Sequence, residues 1–407
     1  MNDSRIHRRP RGAGIAYRYS IHDEIMAHRD RIDLVEISTE DYIVRERRLG
    51  ADTELRKLHE ALATFPGVAH GISLSLGTVE TPPTWYLEAT HRLLADTGME
   101  VFSEHLAFHR VDDNDLTLFL ALPFTEESVQ WVAKKYGVVR AELGRPFALE
   151  NVTYHFPVPY CSLDEATFFR RICEETDASL LLDVTNLFNN SHNHGYDAGE
   201  YLERYPLERV SQVHLAGGFL TEQGKWEDSH SEPVMEPVWE LYEEVLRRTS
   251  AEIVILERDS KFHPFDRVMH DIDRARELFW RYRDENAPAA FPAGTPVSSG
   301  RATPPLDPGA PEFSQLRGFQ RAMMARINSS PFQEIYDRDP KTAAATLGLT
   351  DGMWRKRLAH CDPESMDRLA KSWTVIEEQG AEVQAEYEES EWAAWASQLS
   401  AEEMASS

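Results

Sequence analysis

Cysteine is scarce in this chain: 407 residues contain three, Cys161, Cys173 and Cys361. They are too widely spaced for a CxxC pair or a disulfide framework, which rules out a stapled scaffold and a thiolate zinc site and points to a reducing cytoplasm. Positive charge is also short, with 43 Lys and Arg against 69 Asp and Glu and a net charge of -26. Binding to phosphate backbones depends on Lys and Arg displacing counterions, so no nucleic-acid partner is expected. No segment approaches the roughly 18 consecutive apolar residues of a membrane helix, so none is expected to span a bilayer. Arg5, Arg8, Arg9 and Arg11 are followed by no apolar stretch of the kind a secretion signal needs. No Gly-x-Gly-x-x-Gly follows any candidate strand, which removes the usual dinucleotide cradle.

What is present is a core and a concentration of donors. Hydrophobic residues make up 42% of the chain, ample for a large domain. From Ser179 to Asp197 the chain reads SLLLDVTNLFNNSHNHGYD. The leucine run has the length and bounds of a strand buried on both faces. It ends on Asp183 and is followed by Asn186, Asn189, Asn190, His192, Asn193 and His194, read here as a polar site loop. Similar runs occur at 12–16, 33–38, 69–74, 101–106, 147–151, 210–217 and 253–258. Helical spacing of apolar residues covers 85–96, 126–143, 163–175, 238–248 and 265–282, and in the sixth unit only the short segment 198–203, after a long loop. Eight such units make an α/β fold, a (β/α)8 TIM barrel, over residues 1–285, with a doubly wound open sheet as the competing architecture.

The ends of the expected strands carry Glu36, His70, Glu104 with His105, Glu150, Asp183, His214 and Glu257. In a barrel those carboxyl ends converge on one mouth. Carboxylates crowded into a partly desolvated pocket raise one another's pKa unless a cation joins them. Imidazole and carboxylate donors without sulfur suit iron, manganese or zinc. Asn186, His194, Asp228 and His230 extend the set to ten, enough for two or three ions bridged by carboxylates. Each residue alone has a plainer explanation. His70 fits a core histidine, Glu36 and Glu104 fit capped or arginine-paired acids, and Glu257 fits a partner of Arg258.

After Asn286 the composition changes. Residues 286–311 form a proline-rich linker, with seven prolines between Pro288 and Pro311. Residues 312–407 are expected to form a small all-α domain. Its helices are placed at 313–328, 340–347, 351–360 and 363–387, ahead of an acidic tail.

The strings HGISLSLG, SEHLAFHR, ALENVTYHF, LLLDVTNLFNNSHNHGYD, VHLAGGF, DSHSEPVMEPVWELYEEVL and VILERD resemble, in order and spacing, the DUF692 family of multinuclear non-heme iron-dependent oxidative enzymes. Characterised members include the oxazolone-forming subunit of methanobactin biosynthesis and enzymes that modify cysteine in peptide natural products. The resemblance spans residues 12 to about 283. It implies a TIM barrel holding two or three Fe ions, mixed Fe(II)/Fe(III), with dioxygen as co-substrate and a ribosomally made precursor peptide as substrate. By motif, His70, His105 and Glu150 would surround one iron, with Glu150 bridging. Asp183, His214 and Glu257 would bind the next, with Asn186, His194, Asp228 and His230 near a further position. His70, His105, Glu150, Asp183, His214 and Glu257 are also the expected catalytic set. Family members commonly read LLDVNN and HLAGH where this chain has Thr185 and Gly218, which puts substrate contacts or proton delivery in doubt. Relatives commonly work beside a separate partner protein, so the C-terminal module reads as a fused, peptide-recruiting counterpart, or as a helical appendage serving an oligomer. A TIM-barrel metal-dependent hydrolase or endonuclease, and a sugar isomerase-like enzyme, are the alternatives.

Overall fold

The computed structural model describes residues 9–47, 52–112, 114–155, 158, 161–221, 224–283, 306–328 and 338. Twelve strands occur among them: β1 Gly12–Ala16, β2 Val35–Ser38, β3 Gly67–Gly71, β4 Phe102–His105, β5 Phe108–Val111, β6 Asn114–Leu120, β7 Ala148–Glu150, β8 Ser179–Asp183, β9 Val210–Leu215, β10 Phe219–Leu220, β11 Trp226–Glu227 and β12 Ile253–Leu256. The helices are α1 His22–Ala27, α2 Thr39–Arg47, α3 Asp52–Thr64, α4 Thr84–Thr97, α5 Glu126–Leu143, α6 Glu165–Glu175, α7 Val184–His194, α8 Ala198–Leu202, α9 Glu236–Arg248, α10 Phe265–Tyr282 and α11 Ser314–Asn328.

Eight strands close into a parallel barrel in the order β1-β12-β9-β8-β7-β4-β3-β2, which is the expected (β/α)8 architecture. Side chains alternate between faces along each strand. Val35 and Ile37, or Leu180 and Leu182, therefore join the large cluster beneath the helices. Ala16, Leu34, Val68, Ile253 and Ile255 form a separate apolar cluster inside the barrel. Above that floor the next inward positions are Glu36, His70, Glu150 and His214, all buried. In the register of adjacent strands His105 lies beside Glu150 and Asp183 beside His214.

The largest departure from expectation follows β8. The stretch after Asp183 is a helix, α7, rather than a loop. Asp183 caps it, with Oδ1 accepting from the Asn186 amide at 2.6 Å, and Gly195 at φ 74° terminates it in the left-handed conformation. Two hairpins not anticipated from the sequence, β5–β6 and β10–β11, are inserted after β4 and β9. Residues 306–311, placed in the linker by composition, are packed, with Leu306 and Ala310 against Val79, Trp131, Phe313 and Leu316. Residues 288–305, the helices expected beyond 340 and the acidic tail lie outside the described residues. Among the described residues, no helix is long and apolar enough to cross a membrane.

Candidate metal centre

Two groups of ligand-type side chains meet at the carboxyl end of the barrel: His70, His105 and Glu150, and Glu150, Asp183, His214 and Glu257. Within each, the candidate ligand atoms lie within 4.8 Å of one another. Glu150 belongs to both. Its Oε2 faces His70 Nε2 at 3.1 Å and His105 Nε2 at 3.3 Å, while its Oε1 faces His214 Nδ1 at 3.3 Å. Glu257 Oε2 is 3.0 Å from the same His214 nitrogen. His230 adjoins this end, with Nε2 3.0 Å from Asp228 Oδ1 and 3.7 Å from Glu257 Oε2.

Each histidine is held by the nitrogen that points away from the cluster. His70 Nδ1 lies 2.9 Å from Ser103 Oγ, His105 Nδ1 lies 3.2 Å from the Gly71 carbonyl, His214 Nε2 is 3.0 Å from Glu36 Oε2 and His230 Nδ1 is 2.9 Å from Asp259 Oδ2. Such outer contacts fix ring orientation and tautomer around a metal. The inward atoms face one another without forming hydrogen bonds. His70 Nε2, Glu150 Oε2, Asp183 Oδ2, His214 Nδ1, Asp228 Oδ1 and His230 Nε2 are buried and make no hydrogen bond. Buried polar atoms are rarely left so. Convergent donors from imidazole and carboxylate, with no sulfur, fit a divalent transition metal.

The protonation pattern without a cation points the same way. Burial works against a charged His70, yet Glu150 and Glu36 outweigh it and push its pKa up to about 9. His214 is buried too, and Glu257, Glu36 and Glu150 raise it well above the usual range. Burial raises Asp183 strongly, and Asp228, Glu150 and Glu257 add to the shift. Burial opposes ionisation of Glu150, but His105, His214 and His70 hold it well below the usual carboxylate range. The acids are thus balanced by protons on neighbouring groups, and a bound cation would take the place of those protons.

Other expected residues are placed elsewhere. Asn186 spends its amide on the Asn151 carbonyl at 3.0 Å and on the Thr153 hydroxyl. His194 sits at the far end of α7, about 16 Å along the axis from Asp183. Its ring stacks on Tyr154 at 4.3 Å with Nε2 2.8 Å from the Tyr154 carbonyl, and burial lowers its pKa to about 4. His194 is in neither ligand group among the described residues. The asparagines of α7 are largely scaffold. Asn190 binds the Val152 carbonyl at 2.9 Å and the Tyr154 amide at 2.9 Å, and Asn193 receives the Trp226 amide at 2.8 Å and donates to the Trp226 carbonyl at 3.0 Å. Short polar side chains along a buried helix thus hold the backbone of two neighbouring loops.

The two departures also have structural reasons. Thr185 Oγ1 accepts from the Ala216 amide at 2.8 Å and donates to its carbonyl at 3.0 Å, tying α7 to the end of β9. A Cβ on Gly218 would lie 2.0 Å from the Glu227 carbonyl oxygen, so the β10–β11 hairpin leaves no room for a side chain. Sequence reasoning assigned no role to Ser103, Asp259 or Phe119. Phe119 stacks on His105 with ring centroids 3.9 Å apart, and it lies in an insertion whose position no motif marks.

Comparisons with known proteins agree with this geometry. A UPF0276 protein of Pseudomonas aeruginosa strain UCBPP-PA14 is 35% identical over 268 residues, covering 66% of this chain and 92% of that protein. One from Acaryochloris marina is 32% identical over 276 residues, covering 68% and 97%. A crystal structure of D-psicose 3-epimerase in the presence of D-fructose shares 14% identity and a TM-score of 0.42 over 67% of this chain and 98% of that one, too distant to bear on chemistry. The family model described as RiPP precursor modification enzyme MbnB/TglH/ChrH matches residues 12–279, the whole barrel with its convergent ligand groups, and the chain belongs to that family.

Proposed function

We propose that this protein is a multinuclear non-heme iron enzyme that uses dioxygen to oxidise a side chain, often cysteine, of a ribosomally made precursor peptide. Its support is the coincidence of family membership with convergent buried ligand atoms on His70, Glu150, Asp183 and His214 that make no hydrogen bond. In this reading His70, His105 and Glu150 would hold one ion, and Glu150, Asp183, His214 and Glu257 would hold the next. Asp228 and His230 adjoin the second. Bound iron would supply the electron transfer with dioxygen and a positive charge for a substrate thiolate.

The chain's own residues do the placing. Glu36, Ser103, the Gly71 carbonyl and Asp259 aim the imidazoles. Phe119 covers one face of His105 and keeps water from it. Protons held by His70, His214 and Asp183 would be given up on metal binding. The barrel, residues 1–285, carries the chemistry, the module from 312 onward assists peptide capture, and a reducing cytoplasm keeps the substrate thiol available.

The test is anaerobic loading with ferrous iron, followed by oxygen uptake and peptide mass analysis with a precursor peptide encoded beside the gene. Expected are at least two irons per chain and a mass change that depends on both iron and oxygen. Hydrolytic activity with zinc, and none with iron, would replace this reading with the metal-dependent hydrolase.

A further inference from the structure

The described C-terminal segment lies outside the family match, which ends at residue 279, and matches of 268 and 276 residues already cover 92% and 97% of two relatives. Yet α11 is built into the barrel wall. Phe313 packs edge-on to Trp131 of α5 at 5.0 Å, and the Leu316 amide donates to Glu127 Oε1 at 3.0 Å. Phe319 meets Phe108 of β5 at 6.4 Å, and Arg321 pairs with Asp112 at the hairpin turn. Gln320 is fully buried. Its Nε2 donates to the Gly77 carbonyl at 2.7 Å and its Oε1 accepts from the Val79 amide at 2.9 Å.

The turn that Gln320 grips, at Gly77 and Val79, lies between the end of β3 and the β5–β6 hairpin that supports His105. It follows His70 and Gly71 along the chain, and the Gly71 carbonyl holds His105. Ser75 Oγ accepts from the amides of His109 at 3.0 Å and Arg110 at 3.3 Å, and Thr78 Oγ1 donates to the Arg110 carbonyl at 2.7 Å, so turn and β5–β6 hairpin move together. That hairpin carries Phe119, stacked on His105 at an interplanar angle of 21°. A ring held between a carbonyl and an aromatic face depends on both supports, and α11 touches the hairpin that supplies the second and the turn that follows the first.

We infer that α11 is a positioning element for the His70, His105 and Glu150 group, acting through Gln320 on the turn and through Phe319 on the hairpin. The inference rests on the reading of that group as a metal site. Loss of Gln320 frees the turn and lets His105 rotate, so the ion at this group is held more weakly. The ion at Glu150, Asp183, His214 and Glu257 keeps its affinity.

The experiment titrates full-length protein with Co(II) alone, following the ligand-field absorption of each ion, for wild type, Gln320→Ala, Gln320→Glu and Phe119→Leu, with circular dichroism as the fold control. Gln320→Glu keeps the acceptor for Val79 and loses the donor to Gly77. The expected result is two ions in every folded variant, one of them weakened about 10-fold or more in Gln320→Ala and Phe119→Leu and less so in Gln320→Glu. Unchanged affinity for both ions, or equal weakening of both, overturns the positioning role. Should Gln320→Ala fail to fold, Gln320→Glu against wild type decides by the same criterion. A wild-type chain that takes up fewer than two ions removes the metal reading itself, and the positioning role with it.

Discussion

Glu36 and His214, on β2 and β9, meet across the barrel with Oε2 3.0 Å from Nε2. That contact leaves Nδ1 of His214 as the atom facing Glu150 and Glu257. Glu36→Leu fills similar space without an acceptor. It is expected to lower metal affinity roughly 10- to 100-fold while the barrel stays folded. Chelator competition beside circular dichroism measures both, and an unchanged affinity would show that Glu36 does not orient His214.

Glu150 is the one residue common to both ligand groups, and His105 belongs to one. Glu150→Ala should therefore reduce the content of both ions, whereas His105→Ala should cost about one and spare the other. Elemental analysis after desalting reads the difference. A Glu150→Ala chain that retains a full complement is incompatible with a bridging carboxylate.

His194 and Asn190 lie on the same helix as the Asp183 cap but away from the ligand groups. His194→Ala is expected to leave metal content unchanged. Asn190→Ala strips partners from the Val152 carbonyl and the Tyr154 amide, which should cost about 1–3 kcal/mol of stability. Thermal melts with parallel metal analysis check the pair, and loss of an ion in His194→Ala would restore it to the ligand set.

Glu165 gives a pH signature away from the metal. Burial raises its pKa to about 8, against a smaller lowering by the Tyr205 and Tyr154 hydroxyls. The folded state thus holds a proton that the unfolded chain releases near the ordinary glutamate value of 4.3. This contribution is fully present below that value and is lost as pH rises through about 8. The melting temperature of metal-free protein should fall across this window, and Glu165→Gln should flatten the fall. Parallel curves for the two proteins would count against a protonated Glu165.

The alternation of short apolar runs with amphipathic stretches was sufficient for the barrel, because period and length alone separate a buried strand from a helix lying over it. Helices 126–143 and 265–282 begin and end where their apolar spacing does. The acids and histidines at strand ends were legible too, since a parallel barrel brings every carboxyl end to one face. The stretch after Asp183 misled because asparagines and histidines signal loops when they meet solvent, whereas here a side-chain cap and two dependent loops make a buried helix of them. Phe119 on His105 and Gln320 on the turn at Gly77 were beyond reach for a different reason. Both pairings join segments whose separation along the chain carries no periodic mark, and only the closing of the barrel and the docking of α11 bring them together. The chain's local pattern determined the architecture and the kinds of ligand. Tertiary packing decided which atoms of those residues face one another without forming hydrogen bonds, because that depends on what each side chain meets across the barrel.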